Sequence, residues 1–98
     1  MKYRLTLIFL FIQAAIFSQI KISGTVVDEQ KKSVPFANIV FENSIVGTVS
    51  DENGKFYLES DENFSEVEVS FIGYETKNVS IKSRDFNLKI ILKESDNQ

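Results

Sequence analysis

From residue 20 onward, apolar and polar residues alternate in short runs, and this pattern predicts an all-β domain. In a β-strand every second side chain lies on the same face, so alternation separates a core face from a solvent face. Residues 66–71 show the clearest case, with Val67, Val69 and Phe71 predicted to face the core. No stretch after residue 19 repeats its apolar residues with a period near 3.6, as an amphipathic helix would.

The alternating runs define seven predicted strands that are separated by turn sequences. Short strands at a spacing of roughly 8–12 residues are typical of sandwiches, so we predict a seven-stranded antiparallel β-sandwich. Gly24 lies inside the first strand, where a glycine indicates a bulge or the close approach of another backbone segment. The predicted strands span residues 20–27, 37–41, 45–50, 55–59, 66–71, 75–81 and 86–92.

Residues 47–58 predict a β-hairpin, in which two consecutive strands pair with each other across a tight turn. Asp51, Asn53 and Gly54 would form the turn. Asp and Asn side chains bond to nearby backbone groups, and glycine adopts a positive φ without a steric clash. Gly73 marks a second turn further along the chain. We expect these four residues to have structural roles.

The first 18 residues have the layout of an export signal. Lys2 and Arg4 precede an almost wholly apolar run at 5–17. This run is shorter than the ~20 residues that span a bilayer, which favours a cleaved signal helix ending at Ser18 over an uncleaved anchor. The predicted organisation is a signal peptide at residues 1–18, a β-sandwich domain at 19–93 and a polar tail at 94–98.

Composition excludes several functional classes. The chain has 98 residues, no Cys, no His and a formal net charge of -3. Disulfides, the usual zinc sites and His- or Cys-dependent catalysis are therefore excluded, and the hydroxyls of Thr25, Thr48 and Ser50 have no activating partner. The acidic balance argues against nucleic acid as a partner. We expect a non-enzymatic protein without a cofactor, which contacts a membrane only through the signal segment if that segment stays uncleaved.

Four segments, in this order, together resemble one known family. They are residues 22–28 with a central glycine, 34–41 with the pattern Pro-x-Ala-Asn, 47–58 with the turn described above, and 70–76 with a Gly-Tyr pair. Together they resemble the carboxypeptidase regulatory-like domain over about residues 20–92. Two positions depart mildly from its pattern: Ser50 stands where Thr is usual, and Phe36 where Gly is frequent.

The resemblance implies a transthyretin-like sandwich and a non-catalytic role. In metallocarboxypeptidases the zinc ligands and peptidase residues belong to a neighbouring domain, so none is carried over to this chain. In diderm bacteria similar domains form N-terminal extensions of TonB-dependent outer-membrane receptors and other envelope proteins. The resemblance therefore implies an accessory or interaction module, either periplasmic, outer-membrane associated or secreted, whose partner is an unidentified envelope protein or receptor.

Two alternatives to that function stay open: a truncated N-terminal extension of such a receptor, and a domain that binds a small carbohydrate or hydrophobic compound. Phe36, Tyr57 and Tyr74 are the candidates for an interaction surface. Single exposed aromatic residues are common, however, and Phe36 and Phe64 could instead cap the ends of the core. Residues 51–54 offer too few oxygens for a calcium loop, so no metal site is expected.

Overall fold

The structure, a computed structural model, describes residues 19–96, which contain seven strands and no helix. It confirms the predicted all-β sandwich of seven strands. The strands form a three-stranded and a four-stranded sheet, and no helix long and apolar enough to cross a membrane occurs between residues 19 and 96. The predicted signal helix at residues 1–18 lies outside the described residues. The strands are β1 (Ile20–Asp28), β2 (Asn38–Phe41), β3 (Gly47–Val49), β4 (Lys55–Ser60), β5 (Glu66–Ser70), β6 (Lys77–Ser80) and β7 (Arg84–Leu92).

The core lies between the two sheets, which have the strand orders β4-β1-β7 and β3-β2-β5-β6. Alternate residues of each central strand point into it. Ile39 and Phe41 on β2, with Val67 and Val69 on β5, are at most 1% exposed. Full burial of such side chains stabilises the fold by about 1.5–3 kcal/mol each. Phe71, which the pattern also assigned to the core, is partly buried and packs against this cluster.

β1 and β7 run parallel, which corrects the prediction that all neighbouring strands are antiparallel. The other strand pairs are antiparallel. The backbone N–H of Lys21 donates to the carbonyl of Ser83 at 3.0 Å, so β7 begins beside the start of β1. A parallel pair needs a long connection, and the strands between β1 and β7 provide it. Alternation along one strand carries no information on the direction of its neighbour.

The close backbone approach that was predicted at Gly24 is confirmed. The pairing of β1 with β7 shifts register between Ile22 and Gly24, and Asn87 on β7 has a φ of 66°. A Cβ atom on Gly24 would collide with the carbonyl oxygen of Leu88. Glycine is therefore required here because the bulged β7 backbone lies directly against β1.

β3 and β4 lie in different sheets, so the predicted hairpin between them is wrong. The turn between them forms, but the chain diverges on its two sides. Before the turn, the N–H of Ser50 donates to the carbonyl of Ala37, which precedes β2. After it, the carbonyl of Gly54 accepts a hydrogen bond from the N–H of Val26 on β1 at 2.7 Å. Because these bonds lead to different sheets, β3 pairs with β2 and β4 pairs with β1.

The beginning of the predicted polar tail is bonded to the sandwich. The N–H of Glu75 donates to the carbonyl of Lys93, and the N–H of Ser95 donates to the carbonyl of Gly73. Tyr74 and Glu94 also form an isolated antiparallel bridge. The segment after β7 therefore lies along the loop between β5 and β6. Residues 97 and 98 are outside the described range.

Candidate interaction surfaces

The three aromatic residues proposed as an interaction surface lie in separate places. Phe36 is 59% exposed in the loop before β2, with a φ of 62°. Tyr57 is 52% exposed on the outer face of β4. Tyr74 is partly buried and packs against the core, with its ring 6.1 Å from that of Phe71. They do not form one aromatic surface.

Phe36 and Phe64, the two possible caps of the core, differ. Phe64 stacks on the buried Phe41 with the ring centroids 4.5 Å apart, so it covers the core as the alternative interpretation expected. Phe36 stays mostly exposed, so it does not cap the core. The hydroxyl of Tyr57 donates to a carboxylate oxygen of Glu59 at 2.8 Å. This hydrogen bond is the main cause of the raised pKa of Tyr57.

The predicted turn residues are bonded to their own backbone. One carboxylate oxygen of Asp51 accepts from the N–H groups of Asn53 at 2.8 Å and Lys55 at 2.9 Å. Gly54 has a φ of 77°, and Gly73 has a φ of 92°. A side chain at position 73 would meet no atom within 4 Å. Glycine at position 73 is therefore favoured by its backbone conformation and by no steric contact, since L-residues rarely adopt that φ.

Ser50 is the only buried polar residue among residues 19–96, and its hydroxyl joins two segments of the chain. The hydroxyl donates to the carbonyl of Val34 at 2.7 Å and accepts from the N–H of Ala37 at 2.9 Å. Buried polar groups need such partners because water cannot reach them. This hydroxyl serves the structure. It fixes the end of β3 against the residues that lead into β2.

The structure reveals an apolar surface that the sequence pattern did not indicate. Ile45 is 100% exposed, Val49 is 51% exposed and Val46 is 38% exposed. They lie on and just before β3, which forms one edge of the four-stranded sheet. A shallow depression of about 410 Å³ there is bordered by Val40 of the neighbouring strand. We name this region the β3 edge surface, and it comprises Val40, Ile45, Val46, Gly47 and Val49.

Backbone groups are also available at the β3 edge surface. β2 and β3 pair in antiparallel register, with Val40 opposite Gly47 and Asn38 opposite Val49. On either side of these pairs, the carbonyl of Val46 accepts from the N–H of Phe41, and the N–H of Ser50 donates to the carbonyl of Ala37. Antiparallel pairs alternate between bonded and non-bonded positions. The N–H and C=O groups of Gly47 and Val49 are therefore directed away from β2.

The loop that carries Ile45 is held in a defined conformation. The hydroxyl of Ser44 donates to the carbonyl of Phe41 at 2.9 Å and accepts from the N–H of Val46 at 3.0 Å. At the start of the same loop, Glu42 accepts from the hydroxyl and the N–H of Ser65. These bonds, led by the hydroxyl, lower the pKa of Glu42. The loop therefore presents Ile45 to solvent from a fixed backbone.

β3 differs from the other three edge strands of the sandwich in its charge. Proteins place charged residues and bulges on sheet edges to prevent pairing with other chains. Between residues 19 and 96, only the β3 edge lacks a charged residue. The protected edges are β4, with Lys55 and Glu59, β6, with Lys77, and β7, with Arg84, Asp85, Lys89 and the bulge.

Sequence reasoning missed the β3 edge surface because it assigned β4 as the partner of β3. In a hairpin, β4 would have covered the second edge of β3. The available signal was the run Ile45-Val46-Gly47-Thr48-Val49, which has no charged residue. Within the described part of the chain, no group of three or more His, Cys, Asp or Glu residues is placed to hold a metal ion.

Comparison with known proteins identifies one family. The model of the CarboxypepD_reg-like domain family matches residues 22–98. TonB-dependent receptor P39 of Formosa agariphila is 33% identical over 82 residues, an alignment that covers 81% of this chain and 8% of that receptor. The chain therefore spans only a small part of the length of this relative.

Solved structures add a likeness in fold. One match is a chain from an N-terminal interface mutant of a type II cohesin-X-dockerin complex of Acetivibrio cellulolyticus. It has a TM-score of 0.63 and 17% identity, and covers 79% of this chain and 59% of that chain. A C-terminal interface mutant of that complex gives a TM-score of 0.54 at 16% identity, with coverage of 74% and 56%. These identities show a shared fold alone. The match over residues 22–98 establishes that this chain belongs to the CarboxypepD_reg-like domain family.

Proposed function

We propose that this chain is an exported, non-catalytic module of the bacterial cell envelope that binds another envelope protein through the β3 edge surface. One observation carries the proposal: β3 is an uncharged sheet edge flanked by the exposed side chains of Ile45 and Val49. Exposed edges of this kind bind an extended segment of a partner as an additional strand. Membership of the family and the similarity to a TonB-dependent receptor support an envelope setting.

Binding at this edge would use both backbone and side chains. The outward N–H and C=O groups of Gly47 and Val49 would pair with the backbone of the partner. Val40 and Val49 would contribute apolar contacts beside that added strand. Ile45 would contact the partner just beyond it. A partner with an extended segment rich in β-branched residues suits this arrangement, because such side chains pack well on a pleated surface.

The cellular location is part of the same proposal. The export signal expected at residues 1–18 and the outer-membrane receptor relative support a periplasmic, outer-membrane associated or secreted position. We also propose that the sandwich is transthyretin-like, as the sequence resemblance implies. This assignment is supported by the arrangement of seven strands in sheets of three and four.

The experiment that tests this function is site-specific photocrosslinking in the native bacterium. A photoreactive residue in place of Ile45 is expected to crosslink to one envelope protein, identified by mass spectrometry. The same residue at Asn78, on the opposite edge of the same sheet, is the control and is expected to give no such product. Equal crosslinking at both positions, or none at position 45, would contradict the proposal.

A second pair of variants tests strand addition at this edge. Val49→Pro removes an N–H that is directed away from β2, so the pairing of β2 with β3 is retained. It is expected to abolish the crosslink at position 45. Val49→Thr keeps the N–H and the branched side chain and is expected to preserve the crosslink. Retention of the crosslink in Val49→Pro would show that backbone pairing is not involved.

One observation favours a second candidate function, the N-terminal extension of a TonB-dependent receptor. The 33% identity to such a receptor extends over 82 residues, although these are only 8% of its length. Sequencing the transcript downstream of codon 98 distinguishes the two. A reading frame that continues into further receptor sequence would favour the extension. A stop codon directly after codon 98, with no receptor sequence downstream, would favour the separate module.

A further inference from the structure

The outer face of the three-stranded sheet contains a groove that lies away from the β3 edge surface. Its lining is part apolar, from Val27, Phe56 and Leu88, and part polar. Its volume is about 490 Å³, which is within the range of about 300–1,000 Å³ that small-ligand sites occupy. The polar side chains that line it come from all three strands, and they are Ser23, Thr25, Lys55, Asn87 and Lys89. The proposed contact at the β3 edge surface does not involve any residue of this groove.

Strand register places two lysines on either side of a threonine. Thr25 pairs with Lys55 on β4 and with Lys89 on β7. Adjacent strands lie about 4.8 Å apart, so the Cα atoms of the two lysines are roughly 10 Å apart. Both lysines are exposed, and Thr25 is half-buried between them. Ser23, two residues earlier on β1, points to the same face.

The groove results from the irregular pairing of β1 with β7. Gly24 contributes no side chain to it, and the pairing of β1 with β7 shifts register between Ile22 and Gly24. Asn87, with its φ of 66°, lies at this bulge and lines the groove. The same feature that requires glycine at position 24 therefore also forms the groove.

The electrostatics of the groove differ from those of the chain as a whole. The formal net charge of the chain is -3, yet no acidic residue lines the groove. Among the described residues, Lys55 and Lys89 have no acidic partner. Two ammonium groups without counter-ions attract an anionic group, and charge-assisted hydrogen bonds are stronger than neutral ones.

We propose that this groove binds a small hydroxylated carboxylate, the chemistry of a sugar acid. The ammonium groups of Lys55 and Lys89 bind the carboxylate. The hydroxyls of Ser23 and Thr25 and the amide of Asn87 both donate and accept hydrogen bonds, so they suit the hydroxyl groups of the same ligand. A ligand with both a carboxylate and hydroxyl groups bonds to all the polar side chains of the groove. A ligand with only a carboxylate, or only hydroxyls, bonds to some of them.

The test is a titration of the purified full chain, followed by amide chemical shifts at constant ionic strength. Sodium glucuronate is the probe. Glucose supplies the hydroxyls without the carboxylate, acetate supplies the carboxylate without the hydroxyls, and inorganic phosphate tests a general anion site. Glucuronate is expected to shift the amides of Thr25, Asn87 and Lys89 in a saturable manner, at lower concentration than any of the other three. No saturable shift, or an equal response to glucose, acetate or phosphate, would overturn the proposal.

Variants make the test specific to the groove. The double variant Lys55→Gln/Lys89→Gln is expected to weaken glucuronate binding at least about tenfold, because it removes both charge-assisted bonds. Lys82→Gln removes an exposed lysine from the loop between β6 and β7 and is the matched control, with unchanged binding expected. Equal affinity in the double variant and the parent would contradict the assignment. The crosslink from position 45 tests the proposed function separately, since that position belongs to the other sheet.

Discussion

Two turns in this molecule have the same hydrogen bonds but differ in residue type at their third and fourth positions. The first turn, residues 28–32, has the sequence Asp-Glu-Gln-Lys-Lys. The N–H of Asp28 donates to the carbonyl of Lys32 at 2.8 Å, and the N–H of Lys31 donates back to the carbonyl of Asp28 at 3.0 Å. A carboxylate oxygen of Asp28 also accepts from the N–H groups of Gln30 at 2.8 Å and Lys32 at 2.9 Å.

The second turn, residues 51–55, has the sequence Asp-Glu-Asn-Gly-Lys and repeats each of these bonds. The N–H of Asp51 donates to the carbonyl of Lys55 at 2.8 Å, and the N–H of Gly54 donates to the carbonyl of Asp51 at 2.9 Å. The carboxylate accepts from Asn53 and Lys55, as in the first turn. The two turns therefore differ chiefly at the fourth residue, which is Lys31 in one and Gly54 in the other.

The comparison of Lys31 with Gly54 shows why the second turn requires glycine at its fourth position. Lys31 and Gly54 have similar positive φ values, 68° and 77°. Lys31 is exposed, so its side chain extends into solvent. Gly54 is buried, and a Cβ atom there would lie 2.5 Å from the carbonyl oxygen of Val26. The backbone conformation alone tolerates a lysine in the first turn. The contact of the second turn with β1 is what excludes a side chain.

This contact also determines which edge of the sandwich is free. Gly54 bonds to Val26 on β1, so the chain after the second turn continues as β4 beside β1. β3, before the turn, remains paired with β2 alone. A glycine that fixes one strand in the smaller sheet thereby leaves β3 as an open edge in the larger one.

The largest effect is expected from Gly54→Ala, which we predict to lower the free energy of unfolding by about 3 kcal/mol or more. Backbone strain and the contact with Val26 each cost roughly 1–3 kcal/mol. Denaturant unfolding measures the change. Lys31→Ala, the matched control in the first turn, is expected to stay within about 0.5 kcal/mol of the parent. A loss below about 1 kcal/mol for Gly54→Ala would show that the two turns are equivalent.

Ser50→Ala is expected to have the next largest effect, a loss of about 1–3 kcal/mol. The variant leaves the buried N–H of Ala37 and the carbonyl of Val34 without the hydroxyl that bonds both. It thus removes the side-chain link between the segment after the first turn and the segment before the second, while the backbone hydrogen bond from Ser50 to Ala37 remains. Thermal unfolding compared with Ser80→Ala, an exposed site on β6, measures the effect. An equal response of the two variants would contradict the role given to Ser50.

Substitution of Asp28 and of Asp51 should lower the free energy of unfolding equally, because the two carboxylates make the same hydrogen bonds. Asp28→Ala and Asp51→Ala each remove a carboxylate that accepts two backbone N–H groups in an exposed turn. We expect a loss of about 1 kcal/mol from each, in the range typical of capping side chains. Denaturant unfolding of both variants under the same conditions is the measurement. A difference larger than about 1 kcal/mol between them would break the equivalence of the turns.

The smallest expected effect is a gain in stability from Lys31→Gly. Glycine adopts a positive φ without the steric strain that a lysine side chain causes there. Glycine also makes the unfolded chain more flexible, and after this opposing effect we expect a net stabilisation of about 0.5–1 kcal/mol. Lys32→Gly is the control, because Lys32 has no positive φ to relieve. The melting temperature of Lys31→Gly should rise and that of Lys32→Gly should not. The opposite order would contradict the interpretation.

Local pattern predicted the strands well because alternation reports directly on burial. Val67 and Val69 were assigned to the core face of the fifth strand, and both are buried. The close approach at Gly24 also followed from sequence, since glycine weakens the interior of a strand and often marks a bulge or a nearby backbone segment. These features depend on the residue and its immediate neighbours.

Sheet membership could not be obtained in this way. The Asp51–Gly54 turn is a hairpin turn locally, and only bonds to distant residues, from Val26 to Gly54 and from Ser50 to Ala37, separate its arms. The position of the bulge on β7 was also not obtained, because the glycine that indicated it lies on β1 and the strand opposite it was not known. Both candidate surfaces depend on these long-range features. The β3 edge surface requires β3 to be unpaired on one side, and the groove on the three-stranded sheet requires the bulge.

Amide hydrogen exchange along β3 measures whether this edge is free. The N–H groups of Gly47 and Val49 are directed away from β2, and that of Thr48 is directed toward it. We predict fast exchange at Gly47 and Val49 and slow exchange at Thr48. A hairpin of β3 with β4 would instead bond the backbone of Gly47 and Val49 to β4. Protection at both of these residues would contradict the account.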